Sequence, residues 1–255
     1  MKTFIVDDKE VKKYRRRSIL AFVIFFALIA AAWTGWKYLN NAPRDGGIRG
    51  GVQKPLRQVL DLNEDVYSGL FSTRHLVKEY PRSKAAPRAR VNGDVGLNAG
   101  IDTAAWRLKI IRTSGDTLSL TMDDIKQLPR IDVVFNFKCI EGWSQITWWS
   151  GTRFSELVKK YHLEKEAKLK YVGMKTPDDE YYVGIDMPSM LQPQTILCYQ
   201  LNARPLPLNQ GYPLRLIIPV KYGVKHLKRI GTLNFSDSRP PDYWAERGYD
   251  YYTGL

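Results

Sequence analysis

Nineteen consecutive residues without a charge, SILAFVIFFALIAAAWTGW from Ser18 to Trp36, constrain this chain more than any other stretch. At about 1.5 Å per residue a helix of that length spans a hydrocarbon core of roughly 30 Å. It reads as one transmembrane helix, 18–36. The basic run KKYRRR, Lys12 to Arg17, lies directly before it. The positive-inside tendency therefore keeps residues 1–17 in the cytoplasm and sends the chain beyond Trp36 across the membrane. RRSIL, Arg16 to Leu20, also matches the paired-arginine pattern of the twin-arginine export route. A small-residue site at Ala30–Ala32 exists, but the apolar run is long for a cleaved signal, so a retained anchor or uncleaved export signal is expected.

Residues 37–54 contain NNAPRDGGIRGGVQK, whose Gly, Pro and Arg content reads as a linker. Residues 55–255 form the remaining, extracytoplasmic domain. The formal charge is +13, of which residues 1–17 carry +4. A basic domain favours anionic partners such as lipid headgroups, a phosphate-bearing cofactor or an acidic protein. No zinc-finger or homeodomain pattern and no compact Lys/Arg block occurs in the globular part, so no nucleic-acid partner is expected.

LRQVLDLNEDVYSGLFSTRHLVKEYP, from Leu56 to Pro81, reads as short helical stretches mixed with turns. After it come segments rich in β-branched and aromatic residues: 106–112, 132–139, 169–174, 180–186, 195–201 and 214–220. Two short helices are expected, one capped by Thr121 with Asp124 three residues on, the other carrying Phe154, Leu157, Val158 and Tyr161 at helical spacing. The fold class is α+β, mostly β.

In DVVFNFKC the residues Val133, Phe135, Phe137 and Cys139 share one face of a strand. Cys139 reads three ways. It is a small buried hydrophobe, or half of a disulfide with Cys198, or a side chain delivered to a site by EGWS, where Gly142 breaks the alternation. The histidines His75, His162 and His226 form no ligand pair with either cysteine at zinc-site spacing. One thiolate could still hold a soft metal if a cofactor supplied the other sulfur ligands. Trp143, Trp148 and Trp149 read equally as core, surface or site-shielding aromatics.

KCIEGWS, the Trp-Trp-Ser-Gly after it, KYVGMKT, GYPLRLIIPVKYGVKHLKRI and RPPDYW resemble the molybdopterin-binding domain of the sulfite oxidase superfamily, over roughly residues 62–252. Within it the likeness is to the catalytic subunits of periplasmic methionine-sulfoxide reductases. The resemblance implies a molybdenum–molybdopterin cofactor and makes Cys139 its metal ligand and catalytic residue. It implies that His226, Leu227 and Lys228 cradle the cofactor phosphate, that Arg215 contacts the cofactor, and that Thr176 binds the pterin. Gln210 falls where those reductases have asparagine. Asn63, Val66 and Tyr67 resemble the family's early pterin-contacting segment.

Animal and plant sulfite oxidases add a C-terminal immunoglobulin-like domain, for which this sequence leaves no room. Neither a haem-attaching CxxCH nor an arginine-rich sulfite pocket is recognisable. The expectation is a single-pass inner-membrane oxidoreductase with its catalytic domain on the periplasmic side. It would reduce an S-oxide or N-oxide, such as a methionine sulfoxide, with electrons from a separate membrane-bound or haem partner. Oxidation of sulfite or another small oxyanion is the alternative reaction. A non-catalytic envelope protein that kept the fold is the alternative from another class.

Overall fold

The structure, a computed structural model, describes residues 8–48, 51–72, 74, 76–98 and 100–254. Residues 1–7 of the basic N-terminus, and His75, lie outside them. Helix α1, Asp8–Asn41, continues the apolar run in both directions and has no buried residue. By length and composition it can cross a membrane. The chain then doubles back. Arg44 and Gln53 form an antiparallel bridge, and Asp45 N–H donates to Val52 O and Lys54 N–H to Pro43 O, both at 2.9 Å. The start of the next helix is thereby brought to within a few residues of the end of α1.

That helix, α2, is Lys54–Leu70, with Pro55 in its first turn, where a missing N–H costs nothing. One continuous helix replaces the expected short pieces and turns. Tertiary contacts extend it: Arg57, Asp61 and Glu64 recur on one face and reach Asp45 (2.8 Å) and Arg239 (2.7 and 2.9 Å). The apolar residues of α2 point elsewhere.

Among the described residues the chain next forms strands β1 (Leu108–Ile111), β2 (Thr117–Leu120), β3 (Arg130–Lys138), β4 (Ser144–Arg153), β5 (Tyr171–Lys175), β6 (Tyr182–Asp186), β7 (Ile196–Leu201), β8 (Arg204–Pro205), β9 (Arg215–Ile217) and β10 (Thr232–Ser236). One sheet has the order β2-β1-β10-β5-β6, with β1 and β10 parallel. The other runs β3-β4-β7-β8, with β9 also paired to β7. The larger core gathers Leu108, Ile110, Phe154, Leu157, Leu216 and Leu233. A smaller one joins Val133, Phe135, Trp149, Ile196, Cys198 and Ile217. This is the mostly-β, α+β architecture expected.

Short helices α3 (Met122–Lys126), α4 (Phe154–Lys160) and α5 (Met187–Met190) fill the connections. Thr121 caps α3 as its sequence indicates: Asp124 N–H donates to Thr121 Oγ1 at 3.1 Å and Thr121 N–H to Asp124 Oδ2 at 2.8 Å. Phe154, Leu157 and Val158 are the buried face of α4. The strand expected over 214–220 shrinks to β9, because Ile218 N–H turns away from the sheet toward His226 Nδ1, 3.4 Å distant. β2, β8 and β10 are additions to the expected set of strands, as is β4. The register of β4 shifts between Ser150 and Gly151, where a Cβ on Gly151 would lie 2.1 Å from Leu197 O.

Candidate active site

β3 and β4 make a hairpin whose connecting residues, 139–143, carry the sequence after the last inward-facing phenylalanine. Cys139 N–H donates to Trp143 O at 2.9 Å and Gly142 N–H to Cys139 O at 3.1 Å. This tight closure places Gly142 at φ +88°, a conformation a side chain disfavours. The turn directs Cys139 to the floor of a cleft of 330 Å³ while leaving the residue 6% exposed. Cys198 ends differently: it is fully buried in the smaller core, and burial pushes its thiol up to about 12. Both cysteines are free, so the disulfide reading does not hold.

Cations dominate the cleft. Arg90, Arg215 and Lys228 line it, against one acid among the described lining residues, Glu141. Arg215 is 2% exposed, and its guanidinium lies 4.6 Å from the centre of the Trp149 ring. Its Nη1 donates to Gln210 O (3.1 Å) and Oε1 (2.7 Å) and its Nη2 to His226 O (3.4 Å), while buried Nε has no protein partner. Burial lowers the pKa of Arg215 to about 10, which still leaves a full positive charge at neutral pH. A buried charge with an unanswered donor at a cleft wall is a suitable neighbour for an anion.

The residues 88–97 cross the cleft as a strap. Arg90 N–H donates to Gln145 Oε1 (2.8 Å), and Gln145 Nε2 donates to Arg88 O (3.1 Å). Gln210 Nε2 donates to Ala89 O and Arg90 O, both at 3.3 Å, so the longer amide bridges strap and Arg215. Lys228 Nζ donates to Asn92 O and Gly93 O at 2.7 Å, and Arg229 Nη1 to Leu97 O at 3.1 Å. Burial is the first cause that brings Lys228 down to about 7, with Arg215 adding to it. From the strap, Asn92 Nδ2 reaches Cys139 Sγ at 3.5 Å.

The other residues expected at the site divide by position. His226 is buried, faces the cleft with its ring and packs 4.6 Å from Phe137. Its nitrogens are committed to backbone: Nδ1 accepts from Ile218 N–H, and Nε2, 3.1 Å from Lys221 O, carries the proton. Burial pushes its pKa down to about 3, so the ring is neutral and adds no charge. Leu227 belongs to the larger core, and its N–H is bonded to Lys225 O at 3.0 Å. Of the HLK segment, Lys228 is the residue that turns a charge toward the cleft.

Thr176 is buried beneath the strap's turn and does not line the cleft; its hydroxyl serves Asp178 and Tyr181. Asn63, Val66 and Tyr67 need correction. They lie exposed on α2, and none lines the cleft. α2 meets the body through the polar face described above, and these three residues sit outside that face. Asn92, in VNGDVG, is the asparagine whose amide reaches the Cys139 sulfur. Its Asn-Gly pair marks a turn in the sequence, but only the fold brings it to Cys139.

The three tryptophans have three environments. Trp149 is 2% exposed and forms the cleft wall under Arg215, its Nε1 donating to Thr147 Oγ1 at 2.7 Å. Trp148 faces the other side of β4, with the Arg82 guanidinium 4.8 Å over its ring. Trp143 is at the rim, between Arg90 (4.6 Å) and Phe137 (5.9 Å). Its Nε1 donates to Glu141 at 3.2 Å. The Asn92 amide, and then this indole, hold the Glu141 carboxyl below the usual range, so at neutral pH it is an acceptor and not a proton donor. Tyr181, Trp244 and Tyr249 also line the cleft; of these the sequence offered only Trp244, as the end of RPPDYW, and assigned it no place in the site.

Among the described residues no three His, Cys, Asp or Glu side chains converge as metal ligands. A single thiol in a cation-lined, aromatic cleft instead fits a cofactor that brings its own ligands and an anionic tail.

The sequence profile of the oxidoreductase molybdopterin binding domain matches residues 94–244. A protein from Azospira oryzae, provisionally named protein-methionine-sulfoxide reductase subunit YedZ1, is 34% identical over 80% of this chain and 77% of its own length. The protein-methionine-sulfoxide reductase catalytic subunits MsrP of Campylobacter jejuni and Burkholderia mallei are 28% and 31% identical, over 63% and 59% of this chain. The chain spans only 60% and 50% of those two relatives. In fold it resembles the sulfane dehydrogenase SoxCD of Paracoccus pantotrophus, with a TM-score of 0.50 at 19% identity over 55% of this chain and 40% of that one. The cleft, its thiol and its cations lie within or beside the matched residues, and the chain belongs to the oxidoreductase molybdopterin binding domain family, an enzyme of the molybdopterin-dependent oxidoreductases.

Proposed function

We propose that the protein is a membrane-anchored reductase of S-oxides, of the kind a methionine sulfoxide side chain presents, with its catalytic domain on the extracytoplasmic side. The observation that carries the reading is the thiol of Cys139 at the floor of a cation-lined aromatic cleft, with Asn92 3.5 Å from its sulfur. Cys139 would hold the molybdenum, and Arg215 and Lys228 would neutralise the anionic part of the pterin, helped by the Gln210 amide. When bound, that group supplies two-electron oxygen-atom transfer. The protein's own part is ligation, orientation and exclusion of water.

Trp143, Phe137 and Trp149 give the cleft apolar walls that suit an uncharged sulfoxide better than a sulfite dianion. Glu141, held ionised, would repel an anion at the same rim. A separate membrane partner would supply the electrons, and α1 would keep both proteins in one plane at raised effective concentration. The test is molybdenum and pterin content of protein made in a molybdenum-competent host, followed by assays with a reduced dye. Methionine sulfoxide, trimethylamine N-oxide and, with an electron acceptor, sulfite would be offered. Stoichiometric molybdenum with sulfoxide turnover is expected; sulfite turnover well above it in kcat/KM reverses the assignment, and metal-free protein removes the enzyme reading.

Lys228 yields a pH-dependent prediction. With its pKa near 7 in place of 10.5, the side chain loses its proton above about 7, and an anion's attraction to it goes with that proton. Binding a phosphate therefore takes up a proton in alkaline buffer and weakens as pH rises. Pterin release from the loaded protein is expected to be faster at alkaline than at acidic pH. Lys228→Arg should flatten the profile and Lys228→Ala should release rapidly throughout. A flat profile in the unmodified protein would assign the phosphate to other groups.

A further inference from the structure

α2 is amphipathic, but it is docked the wrong way round for a soluble protein. At about 100° per residue, Leu56, Val59, Leu62, Val66, Tyr67 and Leu70 fall on one broad stripe. All six are exposed, from 43% for Leu56 to 70% for Leu70. The opposite face carries Arg57, Asp61 and Glu64, and this is the face attached to the body. Arg57 pairs with Asp45 and also donates to Tyr249 O and Ala245 O at 2.9 Å; Arg239 pairs with Asp61 and Glu64. A surface helix ordinarily buries its apolar stripe and leaves its charges in water. Six apolar side chains in a row, left open, mark a surface meant to be covered.

We propose that this stripe lies in the outer interface of the lipid bilayer, as a second membrane contact beside α1. The inference rests on the reading of α1 as a membrane anchor. Its own support is chain geometry: the Arg44–Gln53 bridge and the Lys54-to-Pro43 hydrogen bond start α2 next to the point where α1 ends. Trp33, Trp36 and Tyr38, all exposed, occupy the last turns of α1, the kind of residue that settles at the headgroup level. A helix beginning there has the bilayer surface within reach, and its stripe matches the apolar face of an interfacial helix. The charges of α2 do not call for anionic lipid, since Lys54 and Arg57 are outnumbered by Asp61, Glu64 and Asp65. Burial of the apolar face is the driving force, so a zwitterionic surface suffices. Through its bonds to Ala245 O and Tyr249 O, Arg57 also hangs from α2 the segment bearing the rim residues Trp244 and Tyr249. α2 would thereby set the height and tilt of the cleft above the membrane.

The test uses the full chain alone in phosphatidylcholine vesicles, with spin labels on Leu62→Cys and Val66→Cys from the stripe, Gln58→Cys and Asp65→Cys beside it, and Leu28→Cys in α1. The unsubstituted chain, whose two cysteines are buried, is carried through labelling as the blank. Collisions with oxygen, concentrated in lipid, are compared with those of a water-soluble nickel chelate. Labels at 62 and 66 are expected to collide with the chelate roughly five-fold less often than those at 58 and 65, as for side chains sunk below the headgroups. Equal chelate access at all four positions, with the label at 28 in lipid, overturns the inference and leaves the anchor standing. A label at 28 in water overturns the anchor and the inference with it. Shielding of 62 and 66 only in native membranes, and not in pure lipid, replaces the bilayer with a protein partner. None of these readouts depends on molybdenum or turnover.

Discussion

On the proposed reading, in which Cys139 would hold the molybdenum, replacing it with serine is expected to abolish metal retention and lower turnover by several orders of magnitude while leaving the fold intact. The side chain follows β3 and lines the cleft, outside both hydrophobic cores, and a hydroxyl is nearly isosteric with a thiol. Little packing is therefore lost. The loss is of the soft, anionic sulfur that molybdenum prefers to a neutral alcohol. Cys198→Ser reverses the pattern. That thiol is fully buried and touches Gln200 O at 3.2 Å, so the substitution puts a more polar group into the smaller core and should cost on the order of 1 kcal/mol of stability with the metal retained. Metal content, the sulfur-to-metal absorption bands and thermal unfolding read the two variants separately. Loss of metal in Cys198→Ser with retention in Cys139→Ser would exchange the roles assigned here.

The largest expected effect on stability is at Asp242. Its carboxylate pairs with Lys225, and both side chains are almost wholly buried. Asp242 also accepts from Gly184 N–H at 3.2 Å and Ala245 N–H at 3.0 Å, while Lys225 Nζ donates to Gly184 O at 2.9 Å. The pair thus ties the segment carrying Trp244 and Tyr249 to β6. Asp242→Ala leaves the Lys225 ammonium uncompensated in the interior, and removing one partner of such a pair costs roughly 3–5 kcal/mol. For a chain of this size that corresponds to a fall in Tm of roughly 10 °C. Lys225→Met together with Asp242→Leu should recover much of the loss, because two apolar side chains leave no buried charge. A single variant within about 0.5 kcal/mol of the parent would mean that water reaches the pair, contrary to its burial.

Whether a feature is legible in the sequence depends on whether its signal is local. Val133, Phe135 and Phe137 alternate along one face of β3, where the structure buries Val133 and Phe135 and half-buries Phe137. The Thr121 cap is equally local, since its partners are three residues apart. β4 is hidden because SQITWWSGTR mixes polar and apolar residues on both faces, with Trp148 and Trp149 pointing oppositely, so no alternation marks it as a strand. α2 carries a helical apolar stripe in its sequence, but what docks it is not local: Arg239, the partner of Asp61 and Glu64, is far away in sequence.

By itself the sequence determined one apolar helix, a mostly-β domain and the cysteine that ends β3, because hydrophobic run length, strand period and a turn glycine act over neighbouring residues. Tertiary structure alone decided which groups share the cleft. Asn92 and not Asn63 meets Cys139, because the strap is pinned across the sheet by Gln145, Gln210 and Lys228, which stand 55 to 136 positions from their strap partners. It also decided that His226 is a neutral wall of the cleft and Lys228 a half-buried amine near its titration point. Those properties follow from burial and from hydrogen-bond partners, and neither exists until the chain has closed over them.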